Sequence, residues 1–510
     1  MIRMVAIDLG AESGRAVLGI FDGQRLSVQE VYRFPNIPVR VRDVLHWDIL
    51  CLFHEIKEGL ARAVRIMAGT ITSVGVDTWG VDFALLDREG RLVGNPVHYR
   101  DRRTEGMMEA VFQRVPPEEI YNRTGIQFMP INTLYQLFSM VVREDPQLEI
   151  AHTFLTIPDL FHYWLSGTIV CEFTNATTTQ CYDPIRKDWA WDLLERLGIP
   201  TRFFPEVRPP GTILGRVLPE VTEETGLTQT WVVAPASHDT GSAVAAVPFQ
   251  HPDAAYISSG TWSLVGVEVR EPVITEEARL YNFTNEGGVS GTFRLLKNVM
   301  GLWLLQECRR TWAKQAGKSI VEEAGGSSTL PSAWEYEALI RQAEGAPPLR
   351  SLIDPDDPRF LPPGDMPMRI QVFCQETGQP IPKAHGEIVR CILESLALKY
   401  RWVIERLERL LGRQIPMIHI VGGGSRNALL CQWTADATGR PVLAGPAEAT
   451  AIGNLMVQAM ALGYVGNLEE AREVIRRSFS PTVYTPRAEA KSMWADAYDR
   501  FVSQILSSRE

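Results

Sequence analysis

Val5-Ala-Ile-Asp8-Leu-Gly10-Ala-Glu12-Ser13-Gly14-Arg15-Ala-Val-Leu18 gives strand, glycine–hydroxyl turn and strand. Ala255-Tyr-Ile-Ser258-Ser259-Gly260-Thr261-Trp-Ser263-Leu-Val265 repeats that order near the middle of the chain. Glycine lets a main chain approach closely, so a hairpin turn of Gly, Ser and Thr can aim backbone N–H groups and hydroxyls at one anion. One such turn is ordinarily only a turn. A matched pair implies two homologous halves, and two turns facing each other across a cleft could clamp a nucleotide triphosphate.

With 510 residues the chain is too long for one core, and roughly two to four domains are expected. Hydrophobic content of 45% and charged content of 22% are those of a soluble globular protein. A net charge of −10 without a dense Lys/Arg run excludes a nucleic-acid partner. Seven scattered cysteines with no C-x-x-C exclude a disulfide framework and a cysteine-based zinc site. Asp8 interrupts the first apolar run, which fits a buried strand and not a secretory signal. No apolar run is long enough to span a bilayer, so no membrane partner and a cytoplasmic location are expected.

Strands and helices alternate along the chain, which implies an α/β class. The hairpin of 5–9 and 16–21 is extended by 28–34. A helical stripe of Leu50, Phe53, Leu60, Val64 and Met67 follows. Two runs, 73–76 and 83–87, bracket the turn Asp77-Thr-Trp-Gly-Val-Asp82. A strand at 232–236 leads into Ser237-His238-Asp239-Thr240-Gly241, and 248–252 suits a hinge. A hairpin-rich patch covers 279–293, with a helix expected from Lys297 to about Trp312. The segment 316–367 is irregular, with a helical piece over 332–342. A long apolar helix over 387–411 fits a buried helix better than a coiled coil. A strand at 415–421 then runs into Gly422-Gly423-Gly424-Ser425-Arg426-Asn427, and a small-residue helix spans 447–463. The domain plan is 1–247, 253–465 and a solvated helical tail at 466–510.

Gly317-Lys318-Ser319 imitates the end of a P-loop, but Trp312 stands where its first glycine belongs and a helix precedes it. No G-x-G-x-x-G follows a strand, and H-E-x-x-H is missing. Four constellations remain. Asp8, at a strand end beside Gly10, suits a magnesium ion held through water, or caps a turn. Gly422 to Asn427 opens a helix where a flat ring or a phosphate could lie, or makes a tight turn. Trp79, Gly80 and Asp82, with Tyr99-Arg100-Asp101, combine an aromatic face with hydroxyl-binding carboxylates, or are a buried Trp with turn acids. Asp239 beside His238 suits a base that takes a hydroxyl proton in phosphoryl transfer, or is a helix N-cap.

Asp8-Leu-Gly10, Ser13-Gly14-Arg15, the Gly260-Thr261 turn and Gly422-Gly423-Gly424 together resemble the FGGY carbohydrate kinases of the actin-like ATPase superfamily. Asp77 to Phe83, Tyr99-Arg-Asp101, Ile131-Asn132-Thr-Leu-Tyr-Gln136, Ser237 to Gly241, Tyr256 to Trp262, Asn282-Phe-Thr-Asn285 and Ile353-Asp-Pro-Asp-Asp357 agree. The resemblance runs from about Val5 to Gly463.

It implies two ribonuclease-H-like domains with a cleft, ATP and Mg²⁺, and phosphorylation of a ketose, L-rhamnulose at its terminal hydroxyl. L-Fuculose, D-xylulose or a seven-carbon ketose are the alternatives. By motif, Asp239 would be the catalytic base. Trp79, Gly80, Asp82, Asn132, His238 and Thr240 would contact sugar. Ser13, Gly14, Arg15, Gly260, Thr261, Asn298, Gln306, Gly422, Gly423 and Asn427 would line the nucleotide site. Glu12 departs from the family pattern, which has a small hydroxyl residue there. A carboxylate beside a triphosphate is favourable only if it turns away or helps hold the metal. A chaperone-type ATPase would need a peptide-binding domain after Gly463, and a sugar-sensing repressor a DNA-binding helix pair before the first hairpin. A monomer or a homodimer is expected.

Overall fold

The computed structural model describes residues 1–67, 70–317 and 334–506. Contacts divide the chain into two compact units. Met1–Pro248, Glu268–Leu296 and Ala449–Phe479 form the first; Phe249–Val267, Lys297–Glu448 and Ser480–Glu510 form the second. Each is mixed α/β and built on a main sheet. Among the described residues, no helix is long and apolar enough to cross a membrane.

The sheet of the first unit runs Thr212–Arg216, Trp231–Ala234, Ser73–Thr78, Ile2–Leu9, Ser13–Phe21, Leu26–Pro35. Its three central strands are parallel and the outer ones antiparallel. Parallel strands covered on both faces have no solvent side, so Val5-Ala-Ile and Val232-Val-Ala are unbroken apolar runs, all buried. Register sets Asp8 opposite Asp77 on one side and Arg15 on the other. An isolated bridge sets Thr78 beside His238. The C-terminal ends of three neighbouring parallel strands therefore bring together Asp8, Asp77 and His238-Asp239, the position where open α/β sheets bind ligands.

Two helices show how the faces are covered. Ile49–Met67 buries Ile49, Leu52, Ile56 and Leu60, whereas Leu50 is 61% exposed. Leu60 belongs to both stripes, and the rest of the buried row lies one residue before the expected one. Both stripes keep a helical period, and periodicity cannot choose between adjacent apolar rows. The helix Ala449–Ala461 is small-sided because it packs almost in contact with backbone. A Cβ on Gly75 would come within 2.7 Å of Asn454 Oδ1, and one on Gly453 would overlap the Ser242 carbonyl oxygen.

Phe83–Leu86 pairs with Thr153–Thr156 and not with Ser73–Thr78. The chain therefore leaves the main sheet through residues 79–82, onto a cluster that includes Phe83, Phe138, Phe154, Trp189, Phe203 and Phe204.

In the second unit Ala255–Ser259 pairs antiparallel with Trp262–Val269 and parallel with Ile418–Val421. Val442–Ala444 continues in parallel, and Thr482–Tyr484 closes the edge antiparallel. A hairpin whose first strand takes a parallel partner far along the chain is also the plan of the first unit, so the repeated motif marks a repeated topology. The helix expected from Lys297 begins only at Trp303, because Phe293–Met300 is a strand; its first four residues, paired with Thr284–Gly287, belong to the first unit. His385–Leu411 is a single buried helix. The stretch expected as a solvated helical tail contributes the strand Thr482–Tyr484, and its helix Leu468–Ser478 buries Leu468, Ala471, Val474 and Ile475. Lys318 and Ser319 of the P-loop imitation and the first residues of the piece at 332–342 lie outside the described residues; the helix there is Tyr336–Gly345.

Candidate active site

The first hairpin turn is held locally. Gly10 N–H donates to the Ser13 carbonyl (2.9 Å), and Asn36 braces it by donating Nδ2–H to the Gly10 carbonyl (2.9 Å) and N–H to the Glu12 carbonyl (2.9 Å). Gly14 answers a packing demand, since a Cβ there would overlap Phe34 and Leu9. Arg15 donates through Nε (2.9 Å) and Nη2 (2.7 Å) to Asp8 Oδ2. On the adjacent strand Asp77 is fully buried, and its Oδ2 accepts from Asn454 Nδ2 at 2.6 Å while Oδ1 has no hydrogen-bond partner. Burial first, then the charge of Asp8, push the Asp77 carboxyl well above its usual range.

Asp239 is the first residue of the helix Asp239–Ala245, and its N-cap is His238. The N-cap alternative for Asp239 therefore does not describe this turn. Asp239 Oδ1 accepts from the Thr240 N–H and from Thr240 Oγ1 at 3.1 Å, and His238 Nε2 lies 3.5 Å from it. Among the described residues no hydrogen bond reaches its Oδ2, and the side chain keeps 32% exposure. Burial raises the Asp239 pKa above the ordinary aspartate value; His238 opposes this and Asp8 adds to it.

Residues absent from the sequence reading hold this turn. Glu172 is buried and accepts from Ser237 N (3.0 Å), Ser237 Oγ (2.6 Å), Thr174 N (2.9 Å) and Thr174 Oγ1 (2.6 Å). Thr174 Oγ1 in turn accepts from His238 N at 3.1 Å. Burial lifts the Glu172 carboxyl to about 7 against these donors. The His238 ring meets Glu286 Oε2 at 3.2 Å and Arg294 Nη2 at 3.1 Å, both at Nδ1. A lone buried acid carries no sequence signal. Asn454 and Gln458 did carry one, as polar residues four apart inside an apolar helix.

The Trp79–Asp82 turn is built around one carboxylate. Asp82 is 1% exposed. Its Oδ2 accepts from Trp47 Nε1 (2.6 Å), Trp79 Nε1 (3.0 Å) and Tyr99 N (3.2 Å), and its Oδ1 from Gln136 Nε2 (3.0 Å). Burial raises its carboxyl to about 6. Asp82 thus spends its oxygens holding two indoles whose centroids are 4.0 Å apart. Gly80 lies against Thr178, and Val81 has φ +67°, a left-handed conformation strained for a β-branched residue. Hydrogen bonds over-determine it: Val81 N–H donates to Thr178 Oγ1 (3.1 Å), and its carbonyl accepts from Thr133 Oγ1 (2.6 Å). Asn132 is buried, and its Nδ2 donates to the Gln127 carbonyl (2.9 Å) and Gln180 Oε1 (3.0 Å). Asp101 caps a short helix by accepting from Arg103 N at 2.9 Å.

Gly260, Thr261, Asn298, Gln306, Gly422, Gly423 and Asn427 all belong to the second unit. The Gly260 and Thr261 carbonyls accept from Leu302 N–H and Trp303 N–H (each 3.1 Å), which ties the turn to the start of the helix carrying Gln306. Asn298 is partly buried in the strand Phe293–Met300. The three glycines have separate reasons. A Cβ on Gly422 would come 2.9 Å from the Ser259 carbonyl oxygen, and one on Gly424 would overlap Ser259 Oγ, whereas Gly423 has open space. Asn427 is the N-cap of Ala428–Thr438, with Oδ1 accepting from Leu430 N (3.0 Å) and Nδ2 donating to Tyr336 Oη (2.9 Å).

Two family models match the chain: the N-terminal domain of the FGGY family of carbohydrate kinases over residues 3–246, and its C-terminal domain over residues 255–462. A rhamnulokinase of Bacteroides thetaiotaomicron is 46% identical over 97% of this chain and 98% of its own length. One from Pectobacterium carotovorum is 44% identical over 100% and 97%, and one from Oceanobacillus iheyensis 42% over 94% and 97%. Among solved structures, xylulose kinase from Lactobacillus acidophilus superposes with a TM-score of 0.79 at 16% identity, covering 100% of both chains. Gluconate kinase from the same organism gives 0.78 at 17% identity, with 98% of this chain and 96% of its own covered. These superpositions show that the chain has the fold of those sugar kinases.

Proposed function

Because the chain belongs to the FGGY family of carbohydrate kinases, we propose that this ATP-dependent sugar kinase acts on L-rhamnulose, giving L-rhamnulose 1-phosphate and ADP. The observation that carries the choice of sugar is the set of relatives named rhamnulokinase, 42–46% identical along nearly the whole chain. The sugar's terminal oxygen attacks the γ-phosphorus, the bond to the β–γ bridging oxygen breaks, ADP leaves, and the hydroxyl proton passes to Asp239. Asp239 suits that step because Thr240 holds Oδ1 while Oδ2 stays open, and because burial raises its affinity for a proton.

In this reading Trp79, Gly80, Asn132, His238 and Thr240 bind the sugar, and Asp82 acts mainly by fixing the indoles of Trp47 and Trp79. Ser13, Gly14, Arg15, Gly260, Thr261, Asn298, Gln306, Gly422, Gly423 and Asn427 serve the nucleotide. Asp8 and Asp77 are the residues that would hold a magnesium ion accompanying the triphosphate. Hard oxygen donors stand at adjacent strand ends, and Asp77 Oδ1 is buried without a hydrogen-bond partner. Among the described residues, no group of three or more His, Cys, Asp or Glu forms a metal cage, so phosphate and water would complete the shell. Such an ion neutralises phosphate charge. A cytoplasmic location, and a monomer or homodimer, accompany this proposal. The test is ADP release over a panel of L-rhamnulose, L-fuculose, D-xylulose and glycerol. The highest kcat/KM is expected for L-rhamnulose, because a site built on hydrogen bonds rejects analogues that leave its polar groups unpaired. Equal or better turnover of D-xylulose would reject this choice of sugar.

A further inference from the structure

Glu286 and Arg294 face each other across the hairpin of Thr284–Gly287 and Phe293–Met300. Both are buried, at 4% and 0% exposure. Arg294 Nη2 lies 3.2 Å from Glu286 Oε2 and 3.1 Å from His238 Nδ1. Its Nε donates to the Gly287 carbonyl at 2.8 Å. Its Nη1 is buried with no hydrogen-bond partner. A buried ion pair is a poor stabiliser compared with apolar side chains of similar volume, and an unpaired guanidinium nitrogen makes it poorer. Stability alone gives no reason for this pair beside Asp239.

We propose that Glu286 and Arg294 are positioning residues that hold His238 as its Nε2–H tautomer, with that proton turned toward the base Asp239. Arg294 Nη2 carries two N–H groups. The N–H aimed at His238 requires a lone pair on Nδ1, which places the ring proton on Nε2, while Glu286 Oε2, 3.2 Å from both Nη2 and Nδ1, balances the guanidinium charge. His238 Nε2 is the atom 3.5 Å from Asp239 Oδ1. The opposite tautomer would set N–H against N–H at Nδ1 and a lone pair against a carboxylate oxygen at Nε2. The backbone of His238 is fixed separately by Thr174 Oγ1, so the hairpin pair governs the ring. With Oδ1 held by Thr240 and faced by this proton, Oδ2 is presented for the acceptor hydroxyl. The assignment rests on Asp239 being the base.

The test replaces the pair as a unit, Glu286→Leu with Arg294→Met, because removing one partner would strand a buried charge. Side-chain ¹⁵N NMR of His238, which needs no substrate, should show a pyrrole-type Nε2 and a pyridine-type Nδ1 in the wild type. Mixed tautomers are expected in the double variant. Loss of a group that orients a functional side chain typically costs about 10–100-fold. The double variant should therefore lose about that much kcat on the ketose that the panel selects, with KM for ATP and the melting temperature nearly unchanged. The same ¹⁵N pattern in both proteins, or a wild-type kcat in the double variant, would overturn the proposal. If the double variant does not fold, Arg294→Lys serves instead: one donor to Nδ1 remains, and most of kcat and the Nε2–H pattern should survive, their joint loss counting against the proposal. An altered ¹⁵N pattern with no kinase activity in the wild type on any ketose would separate failure of the functional reading from failure of this one.

Discussion

In the proposed reaction Asp239 is the base, and its replacement separates chemistry from folding. Asn in its place still offers an oxygen to Thr240 N–H, and the N-cap is the neighbouring His238. Asp239→Asn should therefore fold with an unchanged melting temperature and bind ATP normally, with kcat lower by about 10² to 10⁴-fold. Single-turnover kinetics would check this, and lost stability with retained activity would contradict it. Glu172 makes a pH prediction. Its folded carboxyl, at about 7, lies above the unfolded glutamate range, so the folded state keeps a proton that the unfolded state has released. Its contribution to stability is then greatest below about pH 4.5, declines as pH rises toward about 7, and is constant beyond. Glu172→Gln removes that slope, so the difference in unfolding free energy between the two proteins should change between about pH 5 and 7 and be flat at pH 8 and above. Asp8, Asp239 and the Trp79-Gly80-Val81-Asp82 turn were legible because their residue types sit at strand ends in recognisable order. Glu172, Glu286 and Arg294 were not, because the Ser237-His238 turn they hold is 65, 48 and 56 positions away in sequence, and no local pattern marks a buried carboxylate before the chain folds.

Turns and helices are where local rules and tertiary packing part company. The phosphate-type hairpins and the buried long helix follow from local pattern. Phe293–Met300 does not, because its pairing with Thr284–Gly287 overrides a sequence that could equally begin a helix. Phe83–Leu86 likewise finds its partner far away in Thr153–Thr156. The glycine turn at 422–424 illustrates the difference between room for packing and room for a ligand. Gly423→Ala meets open space and should leave stability unchanged while raising KM for ATP. Gly424→Ala drives a methyl into Ser259 and should cost about 1–3 kcal/mol in urea unfolding. Equal thermal stability of the two variants would contradict this division. Gly453→Ala, set against the Ser242 carbonyl, belongs with the second kind.

Over the whole molecule, the repeated hairpin and its distant parallel partner express one topology twice, and the two family models divide the chain accordingly. That much was visible in the sequence, since repetition of an ordered motif survives where individual boundaries do not. The assignment of 449–479 to the first unit was not, because it follows from contacts of Asn454 and Gln458 with strands hundreds of positions earlier. Water is excluded from the triphosphate during transfer, so ATP hydrolysis without sugar should be slow. Fast sugar-independent ATP hydrolysis would argue against that exclusion. Phosphorylation of a sugar at one terminal hydroxyl is read from the products themselves. ³¹P and ¹³C NMR of ATP and L-rhamnulose turned over by the enzyme should show one ADP for each L-rhamnulose 1-phosphate, with phosphorus coupled to C1. ADP formed without a sugar phosphate, or phosphate on another carbon, would contradict it.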